Sequence, residues 1–285
     1  KIQLVNFKRF TDLVIENIPD SAKLVLLIGS NGSGKSCVFD GFEYFSRQSK
    51  RGNILDDKHY YAKDQSEDFT VSVTLNDGTT LIAGNKKHLG GNPLAKKFYG
   101  RSSLRIEPRI ERTGATGVIE KDSDAPERYI DIDRRFHQDV FEFTQKINKS
   151  LQEPTFRGQP ADTVKIFETY IQPLNNSLHN IFGLSPYSEL QITRFEEEYN
   201  QAPKLYFKKG EIPDLNYDLL SHGEKQIIIL LLNFMVRGEL YKDSIYFIDE
   251  MDVHLNTKLQ YKLIKEITEN WIPENSQLWT ATHAL

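Results

Sequence analysis

The feature that most constrains this chain is the loop Gly29-Ser30-Asn31-Gly32-Ser33-Gly34-Lys35-Ser36, which fits the pattern G-x-x-x-x-G-K-[ST] at every fixed position. The apolar run Leu24–Ile28 before it is typical of a buried strand, and the apolar spacing after it predicts a helix. Glycines let consecutive backbone N–H groups and a helix N-terminus point at one anion. The loop therefore predicts nucleotide binding, because a turn that binds nothing has no need of this register of glycines and a Lys-Ser pair.

The residue types in the loop have separate chemical roles. The backbone of Asn31, Gly32, Ser33 and Gly34 would cradle the phosphates. Lys35 would reach the β and γ phosphates as a point charge, and the Ser36 hydroxyl would be a ligand of Mg²⁺. These roles predict phosphate and metal binding, but they do not specify a reaction.

Composition excludes several classes of protein. A net charge of −4 over 285 residues shows no global basic bias, so any nucleic-acid contact requires a local patch. The single cysteine, Cys37, excludes an internal disulfide and a cysteine-based metal site, and it fits a reducing, cytoplasmic compartment. No apolar run approaches the roughly 18 residues that span a bilayer, so no membrane association is expected. The chain starts at Lys1 and stops at Leu285, and we expect both ends to be edges of a larger polypeptide.

The N-terminal residues predict a hairpin ahead of the phosphate loop. Apolar stretches at 2–7 and 13–18 flank the turn Lys8-Arg9-Phe10-Thr11-Asp12. We expect Lys8 and Arg9, with Phe7 and Phe10, to lie near the nucleotide. The alternative is a solvated turn with two buried rings.

The middle of the chain contains a second hairpin and a basic segment. Residues 69–75 and 79–83 alternate apolar and polar side chains around Asn76-Asp77-Gly78, which predicts an antiparallel pair. Between Lys86 and Arg112 basic residues outnumber acidic ones, with two aromatic residues among them. This segment is a candidate DNA or RNA contact, and a solvated surface is the alternative.

The rest of the middle region predicts helices and two strands. Periodicity indicates helices at 130–151 and 163–182, separated by a break that contains Pro154. Strands are expected at 190–195 and 204–208.

A second phosphate-binding device is predicted at Ser221-His222-Gly223-Glu224, which precedes a uniformly apolar run. The run indicates a buried helix whose exposed N-terminus carries a hydroxyl at Ser221 and close backbone access at Gly223.

Two further stretches carry polar groups at strand ends. Residues 244–248 form a buried strand that runs into Asp249 and Glu250, which would hold Mg²⁺ and polarise the attacking water, respectively. A strand that merely ends in acidic residues is the alternative. Residues 277–282 form another apolar strand, which ends at His283, where a neutral imidazole could reach a γ-phosphate.

Taken in order, the phosphate loop, Leu220-Ser221-His222-Gly223-Glu224-Lys225-Gln226, the Asp249-Glu250 pair and Thr282-His283 resemble the ATP-binding-cassette ATPases. Within them the chain looks like the SMC, RecF and OLD branch, because the opening hairpin and Glu250-Met251-Asp252-Val253-His254-Leu255 are similar to that branch's motifs. Met251 and Asp252 replace the branch's proline and glutamate. A transporter cassette is less similar.

The resemblance implies an α/β fold of the P-loop NTPase, ABC-ATPase type. We expect a mostly parallel core sheet, an antiparallel β subdomain and a compact helical insertion, since Lys35 and Ser221 are 186 positions apart, too few for a long coiled coil. The implied division is an N-terminal ATPase lobe at 1–112, a helical insertion or arm at 113–185 and a C-terminal ATPase lobe at 186–285, truncated at its C-terminus.

The resemblance also implies how ATP and Mg²⁺ are used. Two heads sandwich ATP, so that Ser221 and Gly223 of one head bind the γ-phosphate held on Lys35 of the other. Glu250 and His283 would be catalytic, and Ser36 and Asp249 would hold the metal. A magnesium-sensing glutamine should lie between the loop and Ser221, and three glutamines qualify by position, namely Gln65, Gln138 and Gln145.

The partners implied are a second copy, in a dimer or higher oligomer, and an effector nuclease, DNA or RNA. Residues 98–103 and 172–182 are similar to ATPases of bacterial antiphage defence systems. The expected function is an ATPase whose dimerisation controls an effector or nucleic acid in such a system. An ATP-gated scaffold for a separate nuclease or toxin, and a RecF-like DNA-repair ATPase, are the alternatives.

Overall fold

The structure is a computed structural model that describes residues 1–48, 58–87, 89, 97–101, 136–196, 203–251 and 255–282. Its strands are β1 Ile2–Phe7, β2 Phe10–Ile15, β3 Leu24–Ile28, β4 Thr70–Thr74, β5 Thr80–Gly84, β6 Phe98–Arg101, β7 Leu190–Glu196, β8 Lys204–Lys209, β9 Ile212–Asn216, β10 Ile245–Asp249 and β11 Gln277–Thr282. Its helices are α1 Lys35–Arg47, α2 Lys58–Tyr61, α3 Phe136–Thr155, α4 Thr163–Ile166, α5 Gln172–Phe182, α6 His222–Arg237 and α7 Thr257–Glu266. The π-helical turn Phe167–Ile171 joins α4 to α5, and a second one, Ile267–Trp271, follows α7.

The strands form three sheets. A parallel sheet has the order β3-β11-β10-β6, and two antiparallel sheets have the orders β2-β1-β4-β5 and β7-β8-β9. In the parallel sheet Ile28 pairs with Thr282, and Ala281 pairs with Asp249. Because parallel strands end at the same edge of a sheet, this register brings the phosphate loop and the acidic strand end together.

Helix α1 is packed between the parallel sheet and the first antiparallel sheet. Its apolar face shares one core with Phe7 of β1, Phe247 of β10 and Trp279 of β11. The approach of α1 to β1 is close, because a Cβ on Gly41 would lie 2.7 Å from the Leu4 side chain. Glycine at this helical position therefore sets the distance between the helix and the sheet.

Helix α6 is buried on the opposite face of the parallel sheet, where each of its residues 227–232 is at most 3% exposed. A network of polar side chains connects α6 to helix α3 and strand β6. Arg237 donates to Asp139 of α3 at 3.1 Å, and Asn233 bridges Asp139 at 2.7 Å and the Tyr99 hydroxyl of β6. Buried polar groups that are mutually satisfied specify one arrangement, so this network positions the C-terminal half of α6 against α3 and β6.

Most of the expected elements are confirmed. Strand β3, the loop, α1, the β4–β5 hairpin, the buried helix α6, and strands β10 and β11 lie where the sequence predicts them. The parallel and antiparallel sheets with interspersed helices also confirm the expected fold class.

Four local predictions need correction. Strand β2 begins at Phe10 rather than at residue 13, because Phe7 pairs directly with Phe10 and the turn is tight. Helix α3 runs past Pro154 to Thr155. The proline lacks one backbone N–H donor, and because the helix ends one residue later almost no helix remains beyond it to be disturbed. Strands β6 and β9 were not expected, because each is short and flanked by charged residues.

The division into lobes at 112 and 185 remains a prediction. Strands β3 and β6 of the first lobe pair with β10 and β11 of the last lobe in a single sheet. Among the helices that the structure describes, none is long and apolar enough to cross a membrane.

Candidate nucleotide-binding site

The carboxyl edge of the parallel sheet carries a pocket of about 360 Å³ above the phosphate loop. It is lined by Arg9, Asn31, Gly32, Gly34, Lys35, Ser36, Cys37 and Glu250. Five of the six loop residues predicted to bind phosphate thus face one space. The sixth, Ser33, shapes the loop through a backbone bond to the Ser30 carbonyl at 3.1 Å.

The loop backbone requires glycine at two positions. Gly32 has φ of +77° and Gly34 has φ of +101°, where side chains other than glycine are strained. A Cβ on Gly34 would lie 2.7 Å from the Phe10 ring, and one on Gly32 would lie 3.1 Å from the Arg9 guanidinium. Any larger residue would therefore fill the cradle, which fits the close approach of a phosphate to the backbone.

Lys35 is held at the loop by its own ammonium group. The Lys35 Nζ donates to the carbonyls of Gly29 at 2.7 Å and Ser30 at 3.1 Å. The side chain is mostly buried, at 9% exposure, so its charge acts across a short distance in a poorly solvated place. This arrangement fits the phosphate-binding role expected of Lys35.

The N-terminal hairpin contributes Arg9 to the pocket but not its neighbours. The Lys8 Nζ lies 3.5 Å from the Asp40 carboxylate and 3.2 Å from the centre of the Tyr60 ring. Phe7 is fully buried in the core, so its expected place near the nucleotide is wrong. Phe10 packs against Gly34 from outside the loop.

The two acidic residues occupy different positions at the sheet edge. Asp249 is the last residue of β10 and is only 1% exposed. Glu250 lines the pocket with Ser36, and its N–H donates to the Ala281 carbonyl at 3.1 Å. Its φ of +48° is unusual for a side chain of this size and turns the chain sharply out of the strand.

This donor set fits the cofactors that the loop predicts. Mg²⁺ prefers hard oxygen ligands, which a serine hydroxyl and carboxylates provide. Ser36 and Glu250 face the same pocket, and Asp249 is adjacent in sequence. The predicted His283, and the loop residues Asp252 and His254, lie outside the described residues.

Ser221 and Gly223 do not line this pocket. Ser221 is the N-cap of α6 and forms a capping box with Glu224. The Ser221 N–H and hydroxyl donate to the Glu224 Oε2 at 2.9 and 2.8 Å, and the Glu224 N–H donates to the Ser221 Oγ at 3.4 Å. The second predicted phosphate-binding device is therefore separate from the first within one chain.

Two of the three candidate glutamines have hydrogen-bond partners within the part of the chain that the structure describes, and the role of Gln145 stays a prediction. Gln65 donates to the Ala62 carbonyl at 3.0 Å, and Gln138 of α3 bonds to Glu142 at 3.2 Å. Strand β6, the neighbour of β10, ends in Arg101, which is buried. Sequence reasoning missed this position because Arg101 was assigned to the basic segment, although the apolar Phe98 and Tyr99 before it are a strand signal.

The basic segment is only partly described. The Lys86 Nζ lies 2.7 Å from Asp68, and the Lys97 Nζ lies 3.4 Å from Asp243. Arg101 is 3% exposed and cannot contact a nucleic-acid backbone at the surface. Lys96, Arg105, Arg109 and Arg112 lie outside the described residues, so the nucleic-acid role of this segment stays a prediction.

Two titratable groups on α1 have shifted acidities. Burial, followed by the nearby Asp40 charge, raises the pKa of the Cys37 thiol. Burial raises the pKa of Asp40 itself, against the opposing effect of Lys8. The single cysteine of the pocket is therefore a weak nucleophile at neutral pH.

Solved structures with a similar fold include SMC heads. One is the Smc head bound to the C-winged helix domain of ScpA, with a TM-score of 0.50, 15% identity, and coverage of 99% of this chain and 88% of that chain. Another is the Smc head domain with an extended coiled coil bound to the C-terminal domain of ScpA, derived from Pyrococcus furiosus, with a TM-score of 0.50, 14% identity, and coverage of 99% and 89%. Similarity at this level of identity shows a shared fold.

A comparison with curated proteins found no match. Residues 24–284 match the protein family described as "AAA domain, putative AbiEii toxin, Type IV TA system". The match spans the phosphate loop, α6, the Asp249-Glu250 pair and β11. The chain therefore belongs to this family of AAA ATPase domains and has the ABC-type fold of SMC heads.

Proposed function

We propose that the chain is a Mg²⁺-dependent ATPase head that hydrolyses ATP to ADP and phosphate. The observation that carries this proposal is the shared pocket of Lys35, Ser36 and Glu250, which supplies a phosphate ligand, a metal ligand and a carboxylate at one sheet edge. The family and the fold support it.

Each of these residues has one task in the proposed reaction. Lys35 and the loop N–H groups bind the phosphates, and Arg9 adds a second positive charge at Gly32. Ser36 and Asp249 would hold Mg²⁺, which supplies charge neutralisation at the phosphates. Glu250 orients the attacking water and accepts its proton. His283 would donate a hydrogen bond to the γ-phosphate.

We also propose that the site is completed by a second copy of the chain. Ser221 is exposed and Gly223 is partly exposed at a helix start outside the pocket, which supports a contact with a nucleotide that another head carries. ATP would then join two heads, and hydrolysis would separate them.

Replacement of the proposed catalytic carboxylate tests both statements. Glu250→Gln keeps the size of the side chain but removes the base, so we expect hydrolysis to fall by at least about 100-fold. The same variant should form an ATP-dependent dimer, measured by light scattering after size exclusion. Glu168→Gln, on the exposed π-helical turn before α5, is the matched control. A Glu250→Gln protein that hydrolyses ATP at the normal rate and stays monomeric in the presence of ATP would contradict the proposal.

The biological output that we propose is control of an effector or nucleic acid in antiphage defence. The family description names a toxin and a toxin–antitoxin system, which supports an effector partner. Purification with and without ATP, followed by mass spectrometry of accompanying proteins, tests it. A partner released on ATP hydrolysis would favour effector control, whereas stimulation by DNA gaps alone would favour a repair ATPase.

A further inference from the structure

Lys209 is the last residue of β8, and its side chain reaches the N-terminus of α6. Its Nζ lies 2.9 Å from the Glu224 Oε1 and 3.2 Å from Oε2. Glu224 Oε2 is the same atom that accepts both hydrogen bonds from Ser221. One carboxylate therefore connects the lysine to the hydroxyl that is proposed to bind phosphate.

The backbone around Lys209 is fixed. Lys209 pairs with Leu190 on one side and with Ile212 on the other. The next residue, Gly210, has φ of +56°, and its N–H donates to the Glu189 carbonyl at 3.1 Å. A Cβ on Gly210 would lie 1.8 Å from the Pro186 carbonyl oxygen, so this turn admits glycine alone. The reach of Lys209 to Glu224 is thus set by the fold.

Glu224 poses an electrostatic problem for phosphate binding. Burial raises the pKa of Glu224, but hydrogen bonds from Lys209 and Ser221 outweigh burial and lower the pKa overall. The group is therefore a carboxylate at neutral pH, directly beside the Ser221 hydroxyl. A triphosphate that approaches Ser221 would meet this negative charge unless it were compensated.

We propose that Lys209 is a positioning residue for the γ-phosphate carried by a second copy of the chain. It neutralises Glu224 and keeps that carboxylate hydrogen-bonded when the Ser221 hydroxyl turns from Glu224 towards a phosphate oxygen. Lys209 acts through Glu224 and Ser221 rather than on the phosphate itself. This inference rests on the proposed two-headed function.

The test measures ATP-dependent dimerisation by analytical ultracentrifugation in the Glu250→Gln background. Lys209→Met should weaken the dimer by about tenfold per site, and by on the order of 100-fold for a dimer with two such sites. Lys208→Met is the matched control, because this adjacent lysine pairs with Glu189 at 3.1 Å and has no bond to Ser221 or Glu224 among the described contacts. Lys208→Met should dimerise like the parent.

A second variant separates charge compensation from a structural effect. Lys209→Met combined with Glu224→Gln removes both charges, and glutamine retains the capping box. We expect this double variant to recover the dimer to within about threefold of the parent, because no uncompensated charge remains. Thermal midpoints by circular dichroism show that every variant is folded.

Two outcomes would overturn the inference. The first is a Lys209→Met dimer as tight as the Lys208→Met dimer, and the second is a double variant that dimerises as weakly as Lys209→Met alone. Failure of the Glu250→Gln parent to dimerise with ATP would instead overturn the two-headed function, and the inference with it.

Discussion

The start of α1 and the start of α6 are both proposed to bind phosphate, yet they are built differently. Helix α1 is capped by Gly34 in a left-handed conformation, with no side-chain cap and no acidic residue in its first turn. Helix α6 is capped by Ser221 in a capping box and carries Glu224 in its first turn. The N-terminus of α1 can thus accept an anion, whereas at the N-terminus of α6 the Glu224 carboxylate already accepts hydrogen bonds from Ser221.

This difference supports an order of events within the proposed dimer. A glycine-capped N-terminus with a lysine ammonium beside it can bind a phosphate within one chain. A serine already bonded to Glu224 gains little from a free phosphate, because binding must replace a charge-assisted hydrogen bond. Helix α6 would therefore act only when ATP is already held on a partner and presented in the right geometry.

The largest expected effect is a difference in ATP affinity between a variant at the start of α1 and a variant at the start of α6. Lys35→Met should weaken ATP binding by at least about 100-fold, because the variant removes a buried ammonium from the phosphate loop. Ser221→Ala should change ATP affinity by less than about threefold and cost about 1 kcal/mol of stability through the lost cap. Both variants should lose hydrolysis. Titration with a fluorescent ATP analogue measures the affinities, and Lys165→Met on α4 is the control.

Mixing these two variants tests whether the sites are shared. A mixed dimer of Lys35→Met and Ser221→Ala chains has one site with both defects and one site with neither. Hydrolysis should therefore return on mixing, although each variant alone is inactive. Absence of any recovery, with mixed dimers demonstrated, would show that α1 and α6 of the same chain serve one site.

A smaller effect, on stability, is expected from a substitution in the turn between β8 and β9, next to Lys209. Gly210→Ala should lower the free energy of unfolding by about 3 kcal/mol, because its Cβ would overlap the Pro186 carbonyl at a positive φ. Gly78→Ala is the matched control, since Gly78 has φ of +83° but a Cβ added there would have no described residue within 4 Å. It should cost about 1 kcal/mol. Urea denaturation measures both, and equal losses would argue against the tight hairpin.

The smallest effect uses Cys37 as a reporter of the α1 pocket. Because burial and then Asp40 raise the pKa of the Cys37 thiol, less thiolate is present at a given pH than for an ordinary cysteine. Alkylation by iodoacetamide should be slow at pH 7. Its rate should still be rising at pH values where the alkylation rate of an ordinary cysteine has levelled off. ATP should slow it several-fold, since Cys37 lines the same pocket. Mass spectrometry follows the single site, and no protection by ATP would place the nucleotide elsewhere.

The sequence alone determined the parts of the site that depend on local chemistry. The spacing of Gly29, Gly34 and Lys35 specifies a turn and a helix start, so the loop and α1 follow directly. The apolar run after Glu224 predicts a buried helix and the run before Asp249 predicts a buried strand, and both are confirmed. Local periodicity and glycine conformation are properties of short segments, which is why they were predictable.

The tertiary structure decided which side chains meet. It placed Arg9 in the pocket and Lys8 on Asp40, although the two are neighbours in sequence, because they form the tight turn between β1 and β2, in which Lys8 has a φ of +52°. It also brought Lys209 to Glu224 and placed β6 at the edge of the parallel sheet, next to β10. Such contacts join residues that are distant along the chain, and their register depends on how sheets and helices pack together. No local pattern in the sequence encodes that packing.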